Sequence, residues 1–268
     1  MKKKSKSSIR ASHYTILAAM FAMAIVGSYL YAFPAGTTNS DAMGSAQLAV
    51  ETMDVGYFEG ANGFLARPAD GGPYPGVVVV HEWWGLNDGI KDAAVKLASH
   101  GYIVMAVDLY GEVATTPERA RELTSAVNKT RAVENMRAAA GYLRGEGATK
   151  MASLGWCFGG GQSMNLALSG EDLDATVIYY GTLVTDEAQL ASIGQPVLGI
   201  FGGEDRSINV SVVRQFDAAL DNVGIENEIY IYDGVGHAFA NPSGANYAPD
   251  ETRDAWDKTL DFLDRHLK

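Results

Sequence analysis

The segment MASLGWCFGGGQSMNLAL, residues 151–168, contains the pattern that decides the fold. Its apolar start predicts a strand, and its end predicts a helix. Between them, Gly155, Cys157 and Gly159 form a G-x-C-x-G turn with the spacing of a nucleophile elbow, where serine is more usual. Cys157 is therefore a candidate nucleophile at a helix N-terminus, where the dipole favours a negative charge. The alternative interpretation is a packed, inert cysteine in a glycine-rich turn.

Strands and helices alternate on both sides of this turn. Strands are predicted over 76–81, 102–107, 151–155, 175–180, 196–201 and 228–232; helices are predicted over 88–99, 117–143 (one helix or two), 160–168, 210–223 and 250–267. This alternation indicates an α/β domain with a mostly parallel sheet and helices on both faces. Ligands of such sheets bind at the carboxyl ends of the strands, so the loops after strands carry the chemistry.

Two further polar residues follow predicted strands. Asp205 ends the segment Gly-Gly-Glu-Asp, and His237 lies in a glycine-flanked loop before the last helix. The order Cys157, Asp205, His237 is the order of nucleophile, acid and histidine in α/β-hydrolases, so the sequence predicts that fold and a triad. Glu204 is a competing acid. Alternatively, Asp205 is an ordinary turn residue and His237 a loop histidine bonded to a carbonyl.

Acyl transfer also needs donors for the developing oxyanion. We expect one from the backbone N–H of Phe158, directly after the nucleophile, and one from the N–H of Trp83, in the loop after an early strand. The bulky side chains of Trp83 and Trp84 would exclude water from the site, and Trp84 is a candidate substrate contact. Packing is the alternative role for both rings.

Length, charge and cysteine content narrow the function classes. A chain of 268 residues suits one large α/β domain. The net charge is −11, and every acidic residue lies after position 40. A folded domain with this negative charge repels nucleic acid and anionic lipid, so we exclude both as its ligands. With a single cysteine, no intrachain disulfide is possible.

The N-terminus has the pattern of a targeting segment. Five positive charges lie within residues 2–10, and Tyr14 to Phe33 carry no charge before Pro34. This pattern is typical of an export signal, and it is also long enough for a membrane-spanning helix. Whether this segment is cleaved off or retained as an anchor stays open, because no good small-x-small cleavage site follows it. Either outcome places the domain outside the cytoplasm, in the periplasm or the medium or anchored to the membrane. The predicted parts are a signal peptide or membrane anchor (1–34), a linker (35–47) and a hydrolase domain (48–268).

Four segments give the chain a resemblance to the dienelactone hydrolase (carboxymethylenebutenolidase) family. They are HEWWGLND (81–88), VDLYG (107–111), GWCFGG (155–160) and GHAFANP (236–242). The resemblance implies a cofactor-free hydrolase without a metal that uses a Cys-His-Asp triad on a small-molecule ester or lactone. We expect a monomer whose only membrane contact is the N-terminal segment, if that segment is retained.

The resemblance also implies roles for charged residues. A carboxylate at the place of Glu82 lies beside the thiol in the family and helps to form the thiolate. Arg121 falls where the family binds a substrate carboxylate, with Arg119 as the alternative and a solvated helix face as the competing interpretation. The chain has Ala238 and Asn241 where strict members carry Ser and Arg, so one anion clamp is missing. Dienelactone itself is thereby a doubtful substrate.

Two other function classes compete with the hydrolase. The first is a binding or scaffold protein on a hydrolase fold, with an inert cysteine. The second is a redox-sensing thiol, which lacks a second cysteine to resolve a sulfenic acid.

Overall fold

The computed structural model describes residues 29–31 and 47–268. The predicted targeting segment (1–34) and the linker (35–47) lie outside the described residues, except for Tyr29–Tyr31 and Gln47. Among the helices described, none combines the length and the apolar character needed to cross a bilayer.

One sheet of nine strands organises the described part of the chain. The strands are β1 (Tyr29–Tyr31), β2 (Val50–Phe58), β3 (Ala61–Pro68), β4 (Gly76–Val80), β5 (Ile103–Val107), β6 (Met151–Trp156), β7 (Ala175–Tyr179), β8 (Val197–Gly202) and β9 (Asn227–Tyr232). Their spatial order is β1-β2-β3-β5-β4-β6-β7-β8-β9. Strands β4 to β9 are parallel, whereas β1, β2 and β3 pair antiparallel at one edge.

Helices cover both faces of the sheet. They are α1 (Asp88–Ser99), α2 (Pro117–Ala126), α3 (Lys129–Gly145), α4 (Phe158–Leu168), α5 (Glu187–Leu190), α6 (Val210–Val223) and α7 (Pro249–Leu267). Helices α1 and α7 pack on one face, and α3, α4 and α6 pack on the other. The central strand β4 is fully buried, as its run of valines predicts. The predicted α/β-hydrolase fold is confirmed.

The differences from the predicted elements have local causes. The segment 117–143, for which the sequence left one helix or two open, forms two helices. Val127 and Asn128 have extended backbones, and Asn128 caps α3 by accepting a hydrogen bond from the N–H of Arg131. The antiparallel strands β2 and β3 were not predicted. Their residues alternate between buried and partly exposed positions at the sheet edge, which gives a weaker apolar signal than the buried parallel strands.

Candidate active site

The turn between β6 and α4 holds Cys157 in a strained conformation. Its φ is 54° and its ψ is −116°, and helix α4 begins at the next residue. The flanking glycines are required sterically. A Cβ on Gly155 would lie 2.1 Å from the carbonyl oxygen of Gly159, and one on Gly159 would lie 2.2 Å from that of Val80. The chain therefore leaves the half-buried thiol at the carboxyl edge of the sheet, as the sequence pattern predicts.

His237 and Asp205 lie in line with this thiol. Nε2 of His237 is 3.1 Å from Sγ of Cys157, and its Nδ1 is 2.7 Å from Oδ2 of Asp205. Oδ1 of Asp205 accepts hydrogen bonds from two backbone N–H groups of its own loop, at Ser207 and Ile208. Because Asp205 is ionised and acceptor-only, His237 donates to it from Nδ1 and directs Nε2 at the sulfur. The competing acid, Glu204, is exposed and makes no contact with the imidazole among the hydrogen bonds described.

The pKa values of the two partners move in the directions that an ion pair requires. Burial alone would lower the pKa of His237, but the hydrogen bonds to Asp205 and Cys157 outweigh it and raise the pKa to about 10. Burial would raise the pKa of Asp205, and its bonds to His237 and to backbone N–H groups hold it below its usual range instead. The arrangement is therefore suited to stabilise a protonated imidazole between the Asp205 carboxylate and the sulfur of Cys157.

The two predicted oxyanion donors lie on adjoining loops. The N–H of Phe158 is the first of helix α4, and the N–H of Trp83 lies in the loop after β4. The close approach of Gly159 to the carbonyls of Val80 and His81 brings these loops into backbone contact. Neither N–H has a protein acceptor among the loop and side-chain hydrogen bonds of the described residues.

Glu82 is buried near the triad but is bonded elsewhere. Its Oε2 accepts a hydrogen bond from Nδ2 of Asn241, and its Oε1 accepts one from the hydroxyl of Tyr180 at 3.4 Å. Among the residues that the structure describes, the side-chain hydrogen bond of Cys157 is to His237 and not to Glu82. Burial raises the pKa of Glu82, and the bond from Asn241 partly opposes that rise. The neutral amide of Asn241 therefore occupies the position of the arginine that the resemblance led us to expect.

A cavity of about 960 Å³ opens beside Glu82, between α1, α7 and the loop after His237, and Cys157 and His237 are not among its lining residues. Five aromatic residues contribute to its wall: Trp84, Trp156, Tyr179, Tyr180 and Trp256. Its charged lining residues are Glu82, Asp88, Asp92 and Lys96, and it contains no arginine. The ammonium of Lys96 lies 4.2 Å from the centre of the Trp256 ring. Trp84, the predicted substrate contact, lines this cavity, and its ring also packs on that of Trp83.

The two candidate anion-binding arginines lie away from the cavity wall. The side chain of Arg121 is 65% exposed, pairs with Glu118, and lies 5.9 Å from the Trp83 ring. Arg119 is held by ion pairs with Glu112 and Glu122. Neither residue lines the cavity. A substrate carboxylate in the cavity would therefore have Lys96 as its cationic neighbour.

Tyr180 and Asn241 are site residues that the sequence analysis did not assign. Tyr180 directly follows β7 at the carboxyl edge, which is the signal that could have identified it. Its backbone has a φ of 35°, its ring lies 5.2 Å from that of His237, and burial raises its pKa well above the usual value.

In the described residues, no group of three His, Cys, Asp or Glu side chains is arranged to hold a metal ion.

The chain is similar to known proteins in both sequence and structure. The family model of the dienelactone hydrolase family matches residues 61–267. A Methylorubrum extorquens protein assigned as a carboxymethylenebutenolidase is 31% identical over 218 residues, which cover 75% of each chain. A Bradyrhizobium protein assigned as a 2-oxo-3-(5-oxofuran-2-ylidene)propanoate lactonase is 30% identical and covers 84% of this chain and 98% of its own. A crystal structure assigned as a dienelactone hydrolase from Klebsiella pneumoniae superimposes with a TM-score of 0.75 at 28% identity, covering 81% of this chain and 99% of its own. The chain therefore belongs to the dienelactone hydrolase family and is a hydrolase of the ester and lactone type.

Proposed function

We propose that the protein cleaves an uncharged lactone or activated carboxylic ester through a Cys157–His237–Asp205 triad. The observation that carries this proposal is the in-line arrangement of the three side chains, with 3.1 Å between sulfur and Nε2 and 2.7 Å between Nδ1 and Oδ2. Distances in this range allow proton transfer between nucleophile, base and orienting acid.

The reaction has two stages in this proposal. The Cys157 thiolate attacks the carbonyl carbon, and the N–H groups of Phe158 and Trp83 stabilise the oxyanion. The C–O bond then breaks, and protonated His237 gives its Nε2 proton to the leaving alkoxide. In a lactone this alkoxide remains tethered to the acyl group. Water, deprotonated by His237, then attacks the thioester and releases the carboxylic acid and the thiol.

Cys157 and His237 do not line the cavity beside Glu82, but Tyr180 does, and its ring packs against that of His237. We therefore place the non-reacting part of the substrate in this cavity, whose lining favours an uncharged group. Three carboxylate side chains and one ammonium line it, and no arginine does. The field of a chain with a net charge of −11 adds to the repulsion of anions. The aromatic wall is suited to a flat or apolar acyl or alcohol group. The name of the Bradyrhizobium relative makes lactones the first substrates to screen.

Replacement of Cys157 by alanine tests the proposal. Hydrolysis of p-nitrophenyl acetate by purified Cys157→Ala should fall by about 10³-fold or more, because the nucleophile is lost. Ser169→Ala, which removes a hydroxyl at the far end of helix α4, is the matched control and should retain wild-type turnover. Turnover that survives in Cys157→Ala would overturn the proposal and favour the inert-cysteine interpretation.

We also propose that the domain works outside the cytoplasm. The five cations within residues 2–10 and the uncharged stretch Tyr14 to Phe33 support this. Residues 1–46 fused to an alkaline phosphatase that folds only after export should yield an active reporter.

We also propose that the protein is a monomer, which size-exclusion chromatography with light scattering tests.

A further inference from the structure

His81 is a buried histidine next to the candidate active site, without a role in the reaction described above. It directly follows β4, and its side chain is fully buried. Nε2 accepts a hydrogen bond from the backbone N–H of Leu109 at 3.2 Å. Nδ1 therefore carries the proton and donates it to the carbonyl oxygen of Glu82 at 2.6 Å. The N–H of Gly85 also donates to that oxygen, at 3.2 Å.

The carbonyl that His81 binds belongs to the same peptide unit as the N–H of Trp83. A trans peptide is planar, and its C=O and N–H groups point to opposite sides. Fixing the Glu82 carbonyl towards His81 therefore fixes the Trp83 N–H away from it. Hydrogen bonds to the carbonyl also polarise the peptide, which makes the N–H a stronger donor.

The same imidazole contacts the residue that carries the second donor. The rings of His81 and Phe158 are stacked at 5.8 Å with an interplanar angle of 24°, and Tyr110 packs edge-on at 4.6 Å. A Cβ on Gly159 would lie 2.5 Å from the His81 carbonyl oxygen. His81 therefore lies between the two loops whose N–H groups must converge on one oxyanion.

We propose that His81 is a positioning residue of the oxyanion hole, which orients the Glu82–Trp83 peptide through its Nδ1–H and holds that peptide against Phe158. This inference rests on the proposed function and adds a residue that does not touch the substrate. It makes transition-state stabilisation depend on a neutral imidazole in one tautomer.

A pair of variants of equal shape isolates the Nδ1–H bond. His81→Asn keeps a donor close to the position of Nδ1, whereas His81→Leu has the same shape without a donor, and both lose the acceptor for Leu109. On p-nitrophenyl acetate, kcat of His81→Leu should fall by about 10²-fold with KM little changed, as expected when an oxyanion donor is misplaced. His81→Asn should recover most of that loss.

Alkylation of Cys157 by iodoacetamide provides the second readout, because this displacement forms no oxyanion at a carbonyl. Its rate should be the same in wild type and in both variants. If the alkylation rate falls together with kcat, or if the two variants lose kcat equally, His81 acts on the thiol or on the fold and the inference is wrong. Wild-type kcat in His81→Leu also overturns it.

One measurement needs no variant. In ¹⁵N NMR of the wild-type protein at neutral pH, His81 should be the neutral tautomer protonated at Nδ1, and protonation at Nε2 would contradict the inference. Failure of the proposed function gives a different result: hydrolysis would then continue after complete alkylation of Cys157, whatever residue occupies position 81.

Discussion

Nε2 of His237 lies 3.1 Å from Sγ of Cys157, although 80 residues separate them in the sequence. The parallel strands β6 and β9 end at the same edge of the sheet and bring the two residues together. Asp205 follows β8, the neighbour of β9, and completes the row. Each member of the triad lies on a different loop. A substitution in one loop therefore tests that residue without changing the other two loops.

Loss of the hydrogen bond between Asp205 and His237 should lower kcat much more than it changes KM. In Asp205→Asn, the amide can donate to Nδ1 and so favours the tautomer in which Nε2 is protonated. We expect kcat to fall by about 10²–10⁴-fold with little change in KM. Glu204→Gln, one residue away and exposed, is the control and should be unchanged. Equal losses in both variants would show that Asp205 does not have a specific role.

The amide of Asn241 should set the acid limb of the pH–rate profile. Burial raises the pKa of Glu82 and the hydrogen bond from Asn241 lowers it, so the isosteric Asn241→Leu should raise that pKa further. If the Glu82 carboxylate serves the thiol, activity is present above its pKa and lost as the pH falls through it. The acid limb of kcat/KM should therefore move to higher pH in Asn241→Leu and be absent from Glu82→Gln. An unmoved limb in Asn241→Leu would exclude Glu82 as the group that titrates.

Two glycines of helix α4 should respond oppositely to alanine. In Gly159→Ala the new Cβ would lie 2.2 Å from a backbone oxygen of Val80, which cannot move without breaking the sheet. We expect a loss of about 3 kcal/mol or more in the free energy of unfolding. In Gly161→Ala the nearest contacts are at 3.5 Å, so stability should be kept or rise by about 0.5–1 kcal/mol. Urea denaturation of both variants checks this, and similar stabilities would contradict the close packing of the elbow.

A neutral ester should be hydrolysed faster than an anionic ester of similar size. We expect kcat/KM for p-nitrophenyl pentanoate to exceed that for mono-p-nitrophenyl glutarate by about 10-fold or more at low salt, because carboxylates predominate in the cavity wall. The difference should narrow as salt screens the charges. Arg121→Ala should leave hydrolysis of the neutral ester unchanged. A selective loss on the anionic ester would instead show that Arg121 binds a substrate carboxylate, as the family resemblance led us to expect.

The sequence predicted the parts of the site that depend on chain order and local geometry. The turn around Cys157 is determined by glycines whose replacement would cause backbone collisions, and Asp205 and His237 follow strands that parallel pairing brings to one edge. The contacts of Glu82 could not be predicted, because Asn241 and Tyr180 approach it through tertiary packing. The charge of the cavity wall likewise depends on how α1 and α7 pack together.

The central claim is that substrate carbon becomes bonded to the sulfur of Cys157. Rapid mixing of the protein with p-nitrophenyl acetate, an acid quench within the first turnover and peptide mass spectrometry test it directly. We predict one acetyl group on the peptide that contains Cys157, formed at least as fast as kcat and removed during a chase. An acetyl group on another residue, or wild-type turnover without any acylation of Cys157, would contradict the account.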